Sequence, residues 1–397
     1  MNTTLTNKRS DVIVGIGIIG CGSRAACVMQ HTLKLSNRLT IRGLYDPNPQ
    51  AINDYHQRFN CDEAQTYDSE ESLCAAQDID WVIIGSPNAH HARHAITAME
   101  AGKHVFCEKP LATTLEDCLA MRNAMQRTER QFYFGLVLRH AWMYRRIKQL
   151  IDEGVIGDML SFEFNETLGF NHGGFIHQDW RCRRAIAGTH LLEKCCHDID
   201  IANWLIGSRV YRVASFGGLN FFVPNNAHHI QRIGPSPTGR KAFGDWPQDN
   251  MQSPFHDDKD IIDNQVAILE YQNHVRAVFH TNCMAGIPER RLYMVGTEGA
   301  LRADLRMGRI ETQRVGWDVP RMVYTGAGGN HGGGDDAMGR HLCDSMLEGA
   351  APLATMSDGI NAAVTCFGID RAMDTAQVVD MQQWWKQVDQ NVCEGIG

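Results

Sequence analysis

A glycine-rich turn between an apolar run and a helical pattern constrains the fold of this chain more than any other feature. Residues 12–19 form an apolar run of strand length, and residues 23–35 have the spacing of an amphipathic helix. Between them the sequence reads Gly20-Cys21-Gly22-Ser23-Arg24-Ala25, the pattern G-x-G-x-x-A. In a dinucleotide-binding turn the first glycine permits the bend, the second lets the backbone approach a pyrophosphate, and the alanine packs helix on strand.

A second glycine frame, Gly15-x-Gly17-x-x-Gly20, overlaps the first. It would cut the preceding strand short, so the frame that starts at Gly20 is favoured. Roughly 20 residues farther on, the run 39–45 ends at Asp46, where an acid can bind the ribose hydroxyls of a dinucleotide and repel a 2′-phosphate. The turn and the acid together predict NAD as the cofactor, in preference to NADP.

Short apolar runs alternate with helical patterns as far as residue 135, which indicates a parallel sheet wrapped by helices. Farther along, longer runs rich in β-formers indicate a mostly antiparallel sheet. A chain of 397 residues is also too long for one core. We therefore predict an α/β protein with an NAD-binding Rossmann domain at 1–137 and a substrate-binding and oligomerisation α/β domain at 138–397. The predicted strands are 12–19, 39–45, 81–85, 103–107, 132–136, 158–168, 209–222, 262–272 and 275–285, and the first helices are 23–35, 48–58, 89–101 and 114–128.

Composition excludes several classes of function. A net charge of -8 argues against a general nucleic-acid surface, and no apolar stretch has the length of a membrane helix. The 13 cysteines are odd in number and lack zinc-type spacing, which is typical of reduced thiols in a cytoplasmic protein. His256-Asp257-Asp258 and the glycine-rich stretch 328–336 are predicted to be solvated loops rather than metal sites, and 223–260 a long loop or insertion.

The segment Cys107-Glu108-Lys109-Pro110 follows a predicted strand. Lys109 would therefore lie at the carboxyl edge of a parallel sheet, where such sheets bind ligands. A cation at that position can stabilise an alkoxide.

Several segments of the chain resemble the Gfo/Idh/MocA oxidoreductases. The most specific is Glu108-Lys109-Pro110, and the others are Ile83–His91, Gly154–Gly157, Trp180–Gly207 and Gly296–Gly299. The resemblance implies a second domain whose open sheet faces the nicotinamide and often forms oligomer contacts, so we expect a homo-dimer or homo-tetramer. It also implies that Lys109 approaches the substrate hydroxyl, that Glu108 lies near the nicotinamide ribose, and that a cis bond precedes Pro110. Further cofactor contacts are expected from Ser86, Pro87, Asn88 and His91.

Residues 189–206 predict one amphipathic helix that is capped by Thr189 and ends at Gly207. A carboxylate one turn from an imidazole can orient it and raise its pKa, so Glu193 and His197 are candidates for proton exchange. The resembled family has Asp-x-Gly-x-His-x-x-Asp here, which makes Glu193 and His197 catalytic although Glu replaces Asp and Cys195 replaces Gly. The buried stripe of the helix is predicted to consist of Leu192, Cys195, Cys196, Ile199, Ala202 and Ile206. A different face of the same helix is predicted to carry Glu193, His197, Asp200 and Trp204.

Just before this helix, Trp180, Arg181, Arg183 and Arg184 place three cations beside an aromatic ring. An aromatic face can stack on a sugar, and arginine forks can bind an acidic group, although salt bridges between domains would use the same residues. The candidates for substrate binding are Arg139, Trp180, Arg181, Arg184, Lys194 and His197. Family position alone adds His140, Asn165 and His172 as residues that could reach the pocket.

Three functions remain open from the sequence. The first is an NAD-dependent oxidoreductase that acts on a hydroxyl of a sugar, sugar derivative or polyol, with Lys109 and His197 as acid and base. The second is an NAD-dependent redox glycosidase, which would oxidise, eliminate, hydrate and reduce a glycoside that could be anionic. The third is a dinucleotide sensor without catalysis.

Overall fold

The computed structural model describes residues 12–243, 253–319, 321–329 and 331–393. Its first part is a six-stranded parallel sheet of order β3-β2-β1-β4-β5-β6. The strands are β1 (Val14–Ile19), β2 (Leu39–Tyr45), β3 (Gln65–Thr66), β4 (Trp81–Ile84), β5 (His104–Cys107) and β6 (Phe132–Phe134). The helices are α1 (Ser23–Leu33), α2 (Pro49–Phe59), α3 (Glu70–Ala75), α4 (His91–Glu100) and α5 (Leu115–Thr128).

The predicted strands and helices of this first part are confirmed, and their ends shift by at most two residues. Strand β1 is buried along its whole length, as expected of a central parallel strand covered on both faces. The sequence missed β3 and α3. The two residues of β3 are exposed and polar, so they carry no apolar pattern that could predict a strand.

The second part is built on a nine-stranded sheet of order β14-β13-β12-β11-β7-β10-β9-β8-β15, in which only β7 and β10 pair in parallel. Its strands are β7 (Met159–Gly169), β8 (Val210–Gly218), β9 (Asn264–Tyr271), β10 (Arg276–Ala285), β11 (Arg291–Gly296), β12 (Gly299–Asp304), β13 (Arg309–Arg314), β14 (Met322–Thr325) and β15 (Val379–Asp380). Its helices are α6 (Trp142–Asp152), α7 (Phe170–Ile176), α8 (Arg184–Ala187), α9 (Cys196–Ile206), α10 (His229–Ile233), α11 (Gly334–Glu348), α12 (Met356–Thr375) and α13 (Gln382–Cys393).

The predicted insertion 223–260 is only partly a loop. It contains a short 3-10 turn at Pro224–Asn226 and helix α10, while residues 244–252 lie outside the described part of the chain. The run predicted as a strand over 209–222 ends at Gly218, and its last part turns into the insertion. There Phe221 and Phe222 pack with other aromatic rings of the insertion.

The last helices return to the first sheet. Helix α11 packs on α1, so closely that a Cβ at Gly339 would lie 2.8 Å from the backbone of His31. Helix α12 packs on α5 as well as on α9. Residues far along the chain are therefore placed beside the dinucleotide turn.

One face of the nine-stranded sheet is open, as the resemblance implied. Phe216 (69%), Ile268 (59%) and Val278 (46%) are exposed on successive or nearby strands of that face. An oligomer that covers it stays a prediction. Within the described residues, every helix is too short or too polar to cross a membrane.

The turn at Gly20 demands glycine for two reasons. Its φ of +89° is in the region that side chains avoid, and a Cβ would lie 2.4 Å from the Ser86 nitrogen. Gly15 and Gly17 lie inside β1 instead. The glycine frame that starts at Gly20 is therefore confirmed.

We expect Gly20→Ala to destabilise the protein by roughly 3 kcal/mol, because strain and overpacking add at one position. Gly207→Ala is the matched control: its φ is +69°, but a Cβ there meets open space, so about 1 kcal/mol is expected. Thermal or urea unfolding of both variants measures the difference. Equal losses would contradict the assignment of Gly20 to the tight turn.

Candidate active site

The N-terminus of α1 is shaped to hold a pyrophosphate. Gly22 precedes the helix without any side-chain cap, and both Gly22 and Ser23 are exposed. A Cβ at Gly22 would have only the Gly85 carbonyl within 4 Å, at 3.9 Å, whereas a Cβ at Gly85 would lie 2.6 Å from the Ala25 Cβ. The backbone N–H groups are thus open to an anion while Ala25 packs the helix against the sheet.

Asp46 is fixed beside this turn at the end of β2. One carboxylate oxygen accepts from the Cys21 N–H and the other from the Asn48 N–H, both at 2.8 Å. The side chain stays partly exposed. Its placement fits the predicted contact with a ribose.

Two of the residues predicted to bind the cofactor use their side chains to hold the polypeptide. The buried imidazole of His91 lies between the carbonyl oxygens of Pro110 and Ser86, at 2.7 and 3.0 Å. Asn88 donates to the Ala187 carbonyl in the second part of the chain at 2.8 Å. These contacts position the turn that carries Lys109. Pro87 lies between these residues, at the start of a 3-10 turn.

The segment Glu108-Lys109-Pro110 forms the junction between the two sheets. It follows β5, and the Lys109-Pro110 bond is cis, as the resemblance implied. Lys109 Nζ donates to the main-chain carbonyl of Glu193 and lies 3.3 Å from the Glu193 Oε1. Arg24 holds Glu108 from the other side, with Nε donating to Oε1 at 2.8 Å.

The helix predicted over 189–206 is divided. Leu191–Cys195 is a π-helical turn, and α9 follows it and ends at Gly207. The hydroxyl of Thr189 accepts from the Leu192 N–H at 3.1 Å, which supports its predicted role at the start. The predicted stripe is buried, but Glu193, His197 and Asp200 on the other face are buried as well, so the helix is not amphipathic as predicted. π-Helical turns are rare and are frequent at functional sites, and here the turn carries Glu193.

The predicted pairing of Glu193 with His197 is wrong. Glu193 contacts Lys109, and although burial would raise its pKa, the charges of Lys109, Arg181 and Lys194 lower that pKa to about 2. The pKa of His197 is also not raised: burial, with Lys109 second, lowers it well below its usual range. Nδ1 of His197 is buried and meets no hydrogen-bond partner among the described residues. At neutral pH the site therefore holds an anionic Glu193 and a neutral imidazole.

The structure adds a second histidine that the sequence analysis had placed in a solvated loop. The His331 ring lies 6.2 Å from the His197 ring, edge to face, and its Nδ1 is 2.7 Å from the Asp335 Oδ2. Asp335 accepts in turn from Arg24 at 2.6 Å. The expectation fails for His331, because α11, which begins at Gly334, packs on α1, although Gly328 and Gly329 are exposed as predicted. The one signal in the sequence is the i, i+4 spacing of His331 and Asp335 at a helix start.

Arg181 remains at the site, whereas Arg184 does not join it. The Arg181 guanidinium lies over the rings of Trp180 and Phe175, at 4.3 and 4.6 Å, and 3.8 Å from the Glu193 Oε1. Arg184 pairs with Asp374 on α12 at 3.1 Å.

Arg139 is also placed elsewhere. It forms a buried two-pronged ion pair with Asp200 at 2.8 Å and contacts Asp358 at 3.0 Å, so it ties α9 to α12. His140 contacts Tyr133 in the core, and Asn165 donates to Glu289 at 3.1 Å. Arg139 is thus held by ion pairs, and His140 and Asn165 by hydrogen bonds, within the fold; that they reach the substrate stays a prediction.

Comparisons with known proteins follow the same division of the chain. Residues 12–136 match the model of the Gfo/Idh/MocA oxidoreductase family, NAD-binding Rossmann fold. Residues 144–302 match the model of the Gfo/Idh/MocA C-terminal domain.

Several curated relatives are similar in sequence. A levoglucosan dehydrogenase of Pseudarthrobacter phenanthrenivorans is 29% identical over 81% of this chain and 82% of its own. A 2,7-anhydro-N-acetylneuraminate hydratase of Mediterraneibacter gnavus is 29% identical over 74% and 67%. A 1-carboxy-3-chloro-3,4-dihydroxycyclo hexa-1,5-diene dehydrogenase of Comamonas testosteroni is 31% identical, but over only 51% of this chain and 50% of that relative.

Among solved structures, a levoglucosan dehydrogenase in complex with NADH and levoglucosan superposes with a TM-score of 0.74. The identity is 20%, and the match covers 93% of this chain and 99% of that one. The likeness shows that the two share the fold.

We expect Asp46→Ser to weaken NADH binding and to relax the preference over NADPH by roughly a hundredfold, since it removes both the ribose contact and the repulsion of a 2′-phosphate. Fluorescence titration with both nucleotides measures this. Asp54→Ser, on the exposed surface of α2, is the control and should change neither affinity. Equal affinity of the wild type for both nucleotides would contradict the role of Asp46.

Proposed function

The chain belongs to the Gfo/Idh/MocA oxidoreductase family, and on that basis we propose that it oxidises a hydroxyl of a neutral sugar or polyol with NAD. One observation carries the proposal. The π-helical turn that carries Glu193 brings two side chains together. Lys109, at the carboxyl edge of the parallel sheet, is nearly buried against Glu193, and His197 is buried at the start of α9, which follows the turn. Two protein parts thus supply the cation and the base to one place.

The chemistry of the two side chains is complementary. Lys109 can donate a hydrogen bond to the substrate oxygen and stabilise negative charge as it develops there. His197, neutral through burial, can accept the hydroxyl proton. Gly20, Gly22, Ser23 and Asp46 would hold NAD, which when bound supplies the hydride acceptor.

The charges around the site favour a neutral substrate over an acidic one. Each arginine that could have bound an acidic group already has a carboxylate: Arg181 has Asp179 and Glu193, Arg183 has Asp258, and Arg184 has Asp374. The names of relatives include neutral polyols, levoglucosan and inositol, but also two carboxylic acids, so the proposal of a neutral substrate rests on the ion pairs and not on those names.

We expect Lys109→Met and His197→Asn each to lower kcat by at least about a hundredfold for the oxidised sugar, because each removes a group that acts on the transferred proton. NADH binding, followed by fluorescence, should stay within a few-fold. Lys148→Met, on the exposed side of α6, is the control. A panel of sugars and polyols on which the wild type forms no NADH would overturn the proposal.

The pH profile tests His197 separately. Its pKa lies well below the ordinary 6.5, so the base is neutral above that pKa and is lost only when the pH falls through it. If His197 is the base, we expect kcat/KM to be independent of pH down to pH 6.5. Below that pH, kcat/KM should fall as the imidazole is protonated. A fall in kcat/KM that is centred above pH 6.5 and is absent in His197→Asn would contradict the assignment of a neutral imidazole.

His331 favours a second candidate function, the redox cleavage of a glycoside. Such a reaction oxidises a ring hydroxyl, removes the acidified neighbouring C–H proton, expels the aglycone, adds water and reduces the ketone. It needs a proton donor for the leaving oxygen besides the group that serves the oxidised hydroxyl. Burial lowers the pKa of His331, but its hydrogen bond to Asp335 acts in the opposite direction and favours the protonated ring, so His331, next to His197, is the candidate for this donor. One relative is named a hydratase, an enzyme that adds water.

An aryl glycoside separates the two candidates. Redox cleavage predicts nitrophenol release that requires NAD but leaves no NADH, and His331→Asn should abolish it while sparing NADH binding. A simple dehydrogenase predicts NADH without nitrophenol. His228→Asn, on the exposed part of the insertion, serves as the control.

A further inference from the structure

Lys194 is a second lysine that the π-helical turn carries into the interior. It follows Glu193, and its side chain is 11% exposed. Its Nζ lies 3.5 Å from Oε1 of Glu166 on β7. An ammonium has three N–H donors, and among the described residues Glu166 is its one charged partner. Donors are therefore left over at a nearly buried position.

Glu166 and Lys194 belong to a buried cluster of two carboxylates and two cations. Its other oxygen lies 2.7 Å from Nε of Arg290, which also forms two bonds of 2.8 Å with Asp198. All of these groups are buried. Arg290 and Lys194 together balance the charges of Glu166 and Asp198, so Lys194 completes this buried cluster. Its one contact of 3.5 Å occupies at most one of the three N–H donors, so charge balance alone leaves donors of the ammonium unused.

The ammonium also lies among the groups of the active site. Burial is the largest influence on the pKa values of His172, Glu193 and His197, but the charge of Lys194 acts on all three. For His172 it is the strongest of the neighbouring charges, and burial and charge together lower that pKa well below its usual range. Lys109 contacts Glu193 from the side of the parallel sheet, and Lys194 follows Glu193 in the π-helical turn.

The geometry points to Lys194 as a specificity-determining residue that donates a hydrogen bond to the oxygen next to the one being oxidised. The substrate is then a vicinal diol on a sugar or cyclitol ring, with Lys109 at the reacting oxygen and Lys194 at its neighbour. This assignment rests on the proposed function, because it presupposes that a hydroxyl is oxidised at Lys109.

The test compares a diol substrate with its analogue that lacks the neighbouring hydroxyl. For the wild type, removal of that hydroxyl should lower kcat/KM by about 10- to 100-fold, the range of a hydrogen bond to a charged donor. Lys194→Met keeps the apolar stem, so it should lose a similar factor on the diol and almost none on the deoxy analogue. Discrimination between the two compounds then disappears, while NADH binding is retained. Lys148→Met should leave the discrimination intact.

The outcomes separate this inference from the proposed function. A wild type that oxidises no sugar or polyol defeats the proposed function, and the inference with it. A wild type that oxidises the deoxy analogue as well as the diol defeats the inference alone, and this comparison needs no variant to fold. If Lys194→Met is folded and still discriminates as the wild type does, Lys194 is not the donor.

Discussion

The contact between Lys109 and Glu193 is the interaction on which the site depends. Both side chains are nearly buried, with 15% and 11% exposed; Lys109 follows β5 of the parallel sheet, and Glu193 lies in the π-helical turn before α9. Removing one partner of such a pair leaves an uncompensated buried charge, at a cost of about 3–5 kcal/mol. The pair therefore fixes the edge of the parallel sheet against the π-helical turn, and His197 follows that turn directly.

Around this pair each charged side chain faces an opposite charge. Arg24 lies between Glu108 and Asp335, Arg181 faces Asp179, and Lys194 faces Glu166. Burial keeps the His197 imidazole neutral. Under the proposed function, this imidazole accepts the proton of the substrate hydroxyl.

The return of the C-terminal helices completes the site. Helix α11 packs on α1, and that packing sets His331 beside His197 and Asp335 beside Arg24. Helix α12 anchors α9 from the other side through Asp358 and Arg139. Before α11, Gly328 and Gly329 remain exposed, whereas the His331 side chain contacts Asp335 and His197.

The sequence by itself determined the Rossmann half, the antiparallel second sheet, the turn at Gly20, the buried stripe of α9 and the position of Lys109 after β5. Each depends on patterns within a few residues, because strand alternation, helix spacing and glycine turns are local. Only the tertiary structure decided the partners of the charged groups. Glu193 bonds to Lys109, 84 residues away, and Arg24 to Asp335, 311 residues away. A side chain's spacing along a helix does not reveal which distant charge will face it, so the expected Glu193–His197 pair failed and His331 was missed.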